Sequence, residues 1–103
     1  MILLLGGTTE GRAAVKVLEE AGKPFYYSTK GDEQAITLHN GIRLQGAMDV
    51  TGLETFCRQQ SINLLVDAGH PFAEQLHRNV GEVAGKLCIP VIRYERIFPE
   101  RED

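Results

Sequence analysis

Short, wholly apolar runs alternate along this chain with longer stretches in which apolar residues recur every three or four positions. Ile2-Leu3-Leu4-Leu5 is the first run, as expected of a parallel strand covered on both faces. Residues 10–21 follow with a helical period: Ala13, Ala14, Val17, Leu18 and Ala21 fall on one stripe, and Gly22 ends it. Phe25-Tyr26-Tyr27-Ser28-Thr29 reads as a second strand. Residues 30–41 carry no clear period, and 36–39 fit a short strand or a loop equally. Alternation predicts a third strand over 42–44.

A second helix follows, capped by Asp49 or Thr51. Thr51-Gly52-Leu53-Glu54 fits a capping box, and Leu53, Phe56 and Cys57 form the apolar side. Residues 63–68 predict another buried strand. Pro71 suits a first helical turn, and the pattern from there to about Leu87 puts Phe72, Ala73, Leu76, Val80, Val83, Ala84 and Leu87 on one face. The last strand is predicted over 90–94, with Pro90 at its start. Residues 98–103 are mostly charged and aperiodic.

Strands alternating with helices imply an α/β domain of three layers, with a parallel sheet of about five strands and right-handed crossovers. The expected strand order is 3-2-1-4-5, a Rossmann-like half, over residues 1–97, with 98–103 as the start of a linker. Ligands in such sheets bind beyond the carboxyl ends of the strands, where the strand order reverses. That point falls between strands one and four, at residues 6–11 and 67–72.

Composition narrows the partners. The chain has 103 residues, 43% apolar and 24% charged, enough for one globular core. A net charge of −3 argues against non-specific nucleic-acid binding, which depends on a basic surface. No apolar run approaches the ~20 residues of a membrane span. The apolar start is too short for a signal peptide and lacks a basic flank, so a cytoplasmic location is the default. Cys57 and Cys88 belong to no C-x-x-C pair and are expected to be reduced core residues.

Gly6-Gly7-Thr8-Thr9-Glu10-Gly11 breaks the first strand and opens the first helix. The free N–H groups of a helix start attract anions, and the glycines let the backbone approach a pyrophosphate. The usual dinucleotide fingerprint has glycines at positions one, three and six; here the middle one, Gly7, stands one place early. Gly11 would bring helix and strand together, and Thr8 and Thr9 add hydroxyls. An NAD site usually carries an acid at the end of strand two. Ser28, Thr29 and Lys30 stand there instead, which suits a 2′-phosphate and so NADPH over NADH, although Asp32 and Glu33 follow closely.

Asp67-Ala68-Gly69-His70-Pro71-Phe72 lies across the switch point. His70 is placed to donate a hydrogen bond, move a proton or bind a carboxylate; equally, it is placed simply to cap the helix. Arg96, past the last strand, would meet an anionic ligand or close a surface ion pair. His39, His70 and His77 have no ligand-spaced motif behind them, so no metal site is expected.

Three stretches together resemble the precorrin-6A (cobalt-precorrin-6A) reductase family of cobalamin biosynthesis. These are Leu3-Leu4-Leu5-Gly6-Gly7-Thr8-Thr9-Glu10-Gly11-Arg12, Val66-Asp67-Ala68-Gly69-His70-Pro71-Phe72-Ala73 with Gln75 and Asn79 beyond it, and Ile89-Pro90-Val91-Ile92-Arg93-Tyr94-Glu95-Arg96. The chain departs from the family's pattern at Gly69, where Thr is usual, and at Ile97, where Pro is usual.

The resemblance implies hydride transfer from NADPH or NADH to the tetrapyrrole macrocycle of precorrin-6A or its cobalt form. It implies nucleotide contacts from residues 6–11, from Ser28, Thr29 and Lys30, and from Asp67. It implies substrate contacts from His70, Arg12 and Arg96, with His70 also the catalytic candidate. Members of the family are about twice as long, with a second α/β domain. The chain is therefore expected to bind the nucleotide without turning over substrate alone, and to have a face prone to self-association.

The alternative is a non-catalytic nucleotide-binding or regulatory α/β module. A receiver domain would need an acidic pair after strand one, where Gly6-Gly7 stands. A short-chain dehydrogenase would need a Tyr-x-x-x-Lys pair after strand four; the spacing occurs only at Tyr26 and Lys30.

Overall fold

The computed structural model describes residues 1–6, 9–29, 38–45, 48–69 and 73–94. The elements in chain order are β1 (Ile2–Leu5), α1 (Thr9–Glu20), β2 (Phe25–Thr29), β3 (Gly41–Gln45), α2 (Val50–Gln59), β4 (Leu64–Asp67), α3 (Glu74–Leu87) and β5 (Val91–Arg93). The strands form one parallel sheet in the order β3-β2-β1-β4-β5, as the alternating pattern predicts.

The wholly apolar strands are explained by the two cores. Leu3, Leu5 and Leu65 point into a cluster with Leu53 and Cys57 of α2 and Val80, Val83 and Ala84 of α3. Leu4, Phe25, Tyr27 and Val66 point the other way, against Ala14 and Val15 of α1. Successive strand residues alternate between faces, so β1 needs apolar side chains at every position. Each fully buried Leu contributes about 1.5–3 kcal/mol of transfer free energy.

The buried stripe of α1 differs in phase from the predicted one. Val15 is 3% exposed and Val17 is 62% exposed. Gly11, Ala14, Val15 and Leu18 face inward, because Gly11 must lie against the end of β1 and this sets the rotation of the helix. After α1, Gly22 adopts φ +68, the left-handed conformation that suits its stop role.

At α2 the cap is Asp49, whose Oδ1 accepts from the Gly52 N–H at 2.7 Å. Thr51 lies inside the helix, so the expected Thr51–Glu54 box does not form. Glu54 instead pairs with Arg58 at 3.0 Å and with Lys86 of α3 at 3.1 Å. Tyr26 packs edge-on against Phe56, with ring centroids 4.9 Å apart, and its Oη donates to Gln60 Oε1. These contacts fasten α2 to its neighbours.

The cysteines diverge from the shared expectation. Both are free, but only Cys57 is buried. Cys88 is the left-handed C-cap of α3, with φ 57, and lies exposed. The predicted start of the last helix at Pro71 and the charged tail from 98 lie outside the described residues. Of the ambiguous segment, Leu38 packs against the α1-side core. Glu19 of α1 gathers the next turn: its carboxylate accepts from the backbone N–H groups of His39 at 2.7 Å and Asn40 at 2.9 Å.

Candidate nucleotide site at the sheet switch point

The carboxyl ends of β2, β1 and β4 are stitched together by backbone. Leu5 stands opposite Ser28 on one side and Asp67 on the other. Gly6 N–H donates to the Ser28 carbonyl at 2.9 Å, and Ala68 N–H donates to the Leu5 carbonyl at 2.8 Å. The Tyr94 N–H closes on the Asp67 carbonyl at 2.9 Å, joining β5 to the same edge. The chain order reverses here, between β1 and β4, and α1 opens four residues after β1 ends. The first turn of α1 thus belongs to this edge.

The glycines at this edge are sterically required. A β-carbon on Gly11 would sit 2.9 Å from the Gly6 Cα, and one on Gly6 would sit 2.5 Å from Tyr27 Cε1. The first turn of α1, the backbone after β1 and the Tyr27 ring of β2 are in direct contact. A pyrophosphate cradle needs such a helix start held close to a strand end, with glycine where the two meet.

The remaining predicted residues are placed unevenly. Thr9 and Glu10 open α1, and Arg12 lies exposed in its first turn. Ser28 is 6% and Thr29 2% exposed, so both are packed into the end of β2. Gly7, Thr8, Lys30, His70 and Arg96 lie outside the described residues.

Asp67 is brought to the switch point but faces inward, 2% exposed. Its Oδ1 accepts from the Gly69 N–H at 3.1 Å, and its Oδ2 lies 2.5 Å from Nδ1 of His77 in α3. Both oxygens of the carboxylate are therefore engaged within the protein.

Two participants are inconspicuous in the sequence. Tyr27 reads as one more aromatic of a buried strand, yet its ring underlies both glycines. His77 reads as a helix residue and becomes notable only when α3 docks beside β4. Alternation does place Asp67 and Leu65 on the α3 side of the sheet, which is the one signal available beforehand.

Between the starts of α2 and α3 lies an open cleft of about 740 Å³, lined by Met48, Asp49, Val50, Gly52, Gln75 and Asn79. Gln75 Nε2 donates to Asn79 Oδ1 at 2.7 Å. Among the described residues no three His, Cys, Asp or Glu side chains are grouped as metal ligands. Among the same residues no helix is long and apolar enough to cross a membrane.

Comparison with known proteins gives one consistent result. Residues 1–102 match the family model described as Precorrin-6x reductase CbiJ/CobK. The chain is 35% identical over 98 residues to the cobalt-precorrin-6A reductase of Priestia megaterium, covering 93% of this chain and 38% of that protein. It is 37% identical over 92 residues to the precorrin-6A reductase of Mycobacterium tuberculosis, covering 88% of this chain and 37% of that protein. A solved structure titled CobK precorrin-6A reductase superposes with a TM-score of 0.85 at 26% identity, over 98% of this chain and 41% of its own. The chain thus spans about two-fifths of the length of these proteins.

Proposed function

The chain belongs to the precorrin-6x reductase family, and we propose that it is the part of such a reductase that binds the nicotinamide nucleotide. The observation that carries this is the contact between Gly6 and Gly11 at the switch point. It holds the start of α1 against the end of β1 where Rossmann-like sheets take a pyrophosphate. The residues present fit the group, since glycine at both positions lets the helix start lie close against the strand end at the switch point.

A nicotinamide nucleotide held there supplies the hydride that reduces the macrocycle of precorrin-6A or cobalt-precorrin-6A. The chain's own part is to bind and orient. The turn at residues 6–11 would hold the pyrophosphate. Lys30, with no acid at the end of β2, favours a 2′-phosphate and hence NADPH over NADH, while Ser28 and Thr29 are packed inward beside it. Arg12, exposed at the start of α1, together with Arg96 and His70, would meet the substrate's carboxylates. Asp67 would serve the site by shaping the backbone after β4. The exposed Val91, Ile92 and Tyr94 on and just after β5, at 38%, 53% and 41%, offer an apolar surface for a covering partner or a second copy.

Titration of the 103-residue chain with NADPH and with NADH, read by nicotinamide fluorescence, tests the proposal. NADPH is expected to bind more tightly than NADH. Failure of both to bind at millimolar concentration would overturn it. No steady turnover of precorrin-6A is expected from this chain alone, and observed turnover would overturn that part.

A further inference from the structure

We propose that His77 is a positioning residue for this site, acting through Asp67 to fix the Ala68–Gly69 backbone beside the Leu5–Gly6 turn. The inference rests on the nucleotide-site proposal above, which assigns His77 nothing.

Four observations converge on it. First, the Asp67–His77 pair is largely withdrawn from water, with side chains 3% and 11% exposed. A carboxylate withdrawn from water must be held by donors, and a buried Asp without them would be neutral or expelled. Second, the two donors come from different places. Gly69 N–H is two residues along the same loop, and His77 Nδ1 is in α3, ten residues on. The carboxylate thus ties the exit of β4 to the first turn of α3.

Third, the exit it ties is part of the site's floor. Ala68, between Asp67 and Gly69, donates its N–H to Leu5, the residue before the glycine turn. A shift of Asp67 is transmitted to Gly6 through one backbone hydrogen bond. Fourth, Gly69 packs closely on α3. A β-carbon there would meet Leu76 Cδ2 at 2.5 Å and Asp67 Oδ1 at 3.3 Å. The turn, the carboxylate and the first turn of α3 are therefore in close contact. α3 has no side-chain cap of its own at Ala73. Asp67 brings negative charge to its first turn, where the helix dipole favours it.

The experiment compares three variants at position 77. In His77→Asn, the amide nitrogen falls near the place of Nδ1 and keeps the donor to Asp67. In His77→Gln, the donor is carried one bond farther, past Asp67. In His77→Leu, the bulk is kept and the donor is lost. NADPH affinity is measured well below each unfolding midpoint, with amide hydrogen exchange at Gly69 recorded without nucleotide.

His77→Leu and His77→Gln are expected to weaken NADPH about tenfold, while His77→Asn stays within about threefold of the parent. Gly69 exchange should speed up by about tenfold in the first two and recover in the third. Equal affinities and equal exchange across Asn, Gln and Leu would overturn the inference and leave His77 a packing residue. If His77→Leu does not fold, the contrast between Asn and Gln decides. If the parent chain binds no nucleotide, the nucleotide-site proposal fails; the exchange contrast at Gly69 then upholds or overturns the positioning role by itself.

Discussion

A β-carbon on Gly11 would sit 2.9 Å from the Cα of Gly6, so the first turn of α1 rests directly on the backbone that ends β1. The contact is backbone on one side, and no flexible side chain can give way. Gly11→Ala must therefore push α1 outward or twist the turn. We expect a loss of about 1–3 kcal/mol of stability, in the range of overpacked core positions. NADPH affinity should fall with it. Urea denaturation and the fluorescence titration check the two halves separately.

Gly6 meets a side chain instead. Its added β-carbon would lie 2.5 Å from Tyr27 Cε1, on a ring that is 3% exposed. Gly6→Ala should destabilise the chain, and Tyr27→Leu should do so by leaving a cavity. Combined, they should cost less than their sum, because the smaller side chain makes room for the methyl. A coupling of about 0.5–3 kcal/mol is expected from a double-mutant cycle in urea. Strict additivity would show that the two residues do not press on one another.

Glu54 links α2 to α3 electrostatically. Its hydrogen bonds to Lys86 and Arg58 hold its carboxyl below the ordinary value of 4.5. A carboxyl lowered on folding stabilises the fold fully above its unfolded value and loses that contribution as pH falls through the lower folded value. Thermal midpoints should therefore drop below about pH 4.5, and part of that drop should vanish in Glu54→Gln. Arg58 and Lys86 are exposed, so at neutral pH the variant should differ little from the parent.

The two thiols should separate chemically. Burial pushes the Cys57 thiol up to about 11, whereas Cys88 lies exposed at the end of α3. A thiol reagent near pH 8 should label Cys88 in the folded chain and reach Cys57 only as the chain opens. Mass mapping of the labelled peptides reads this directly. Labelling of Cys57 at the rate of Cys88 under native conditions would contradict the packed α2–α3 core.

By itself the sequence determined the layered parallel sheet, the strand order and the switch point between β1 and β4. These follow from local signals: strands apolar at every position, helices with a period near 3.6, and breakers at Gly22 and at residues 6–11. The resemblance carried by the residues around Asp67 and Gly6 likewise needed no coordinates.

Other features became visible only when the elements packed. The rotation of α1 was decided by Gly11 meeting Gly6, a contact that helical periodicity does not encode, and so Val15 rather than Val17 is buried. The capping box gave way because Asp49 caps α2 and Thr51 lies inside it, and the packing of α3 brought Lys86 to Glu54. Tyr27 under the glycines and His77 against Asp67 belong to the same class, since each is defined by a neighbour from another element. Periodicity fixes which side of an element is apolar. The close contacts at the end of β1 depend on how two elements rotate and approach, and that is decided when all the layers pack at once.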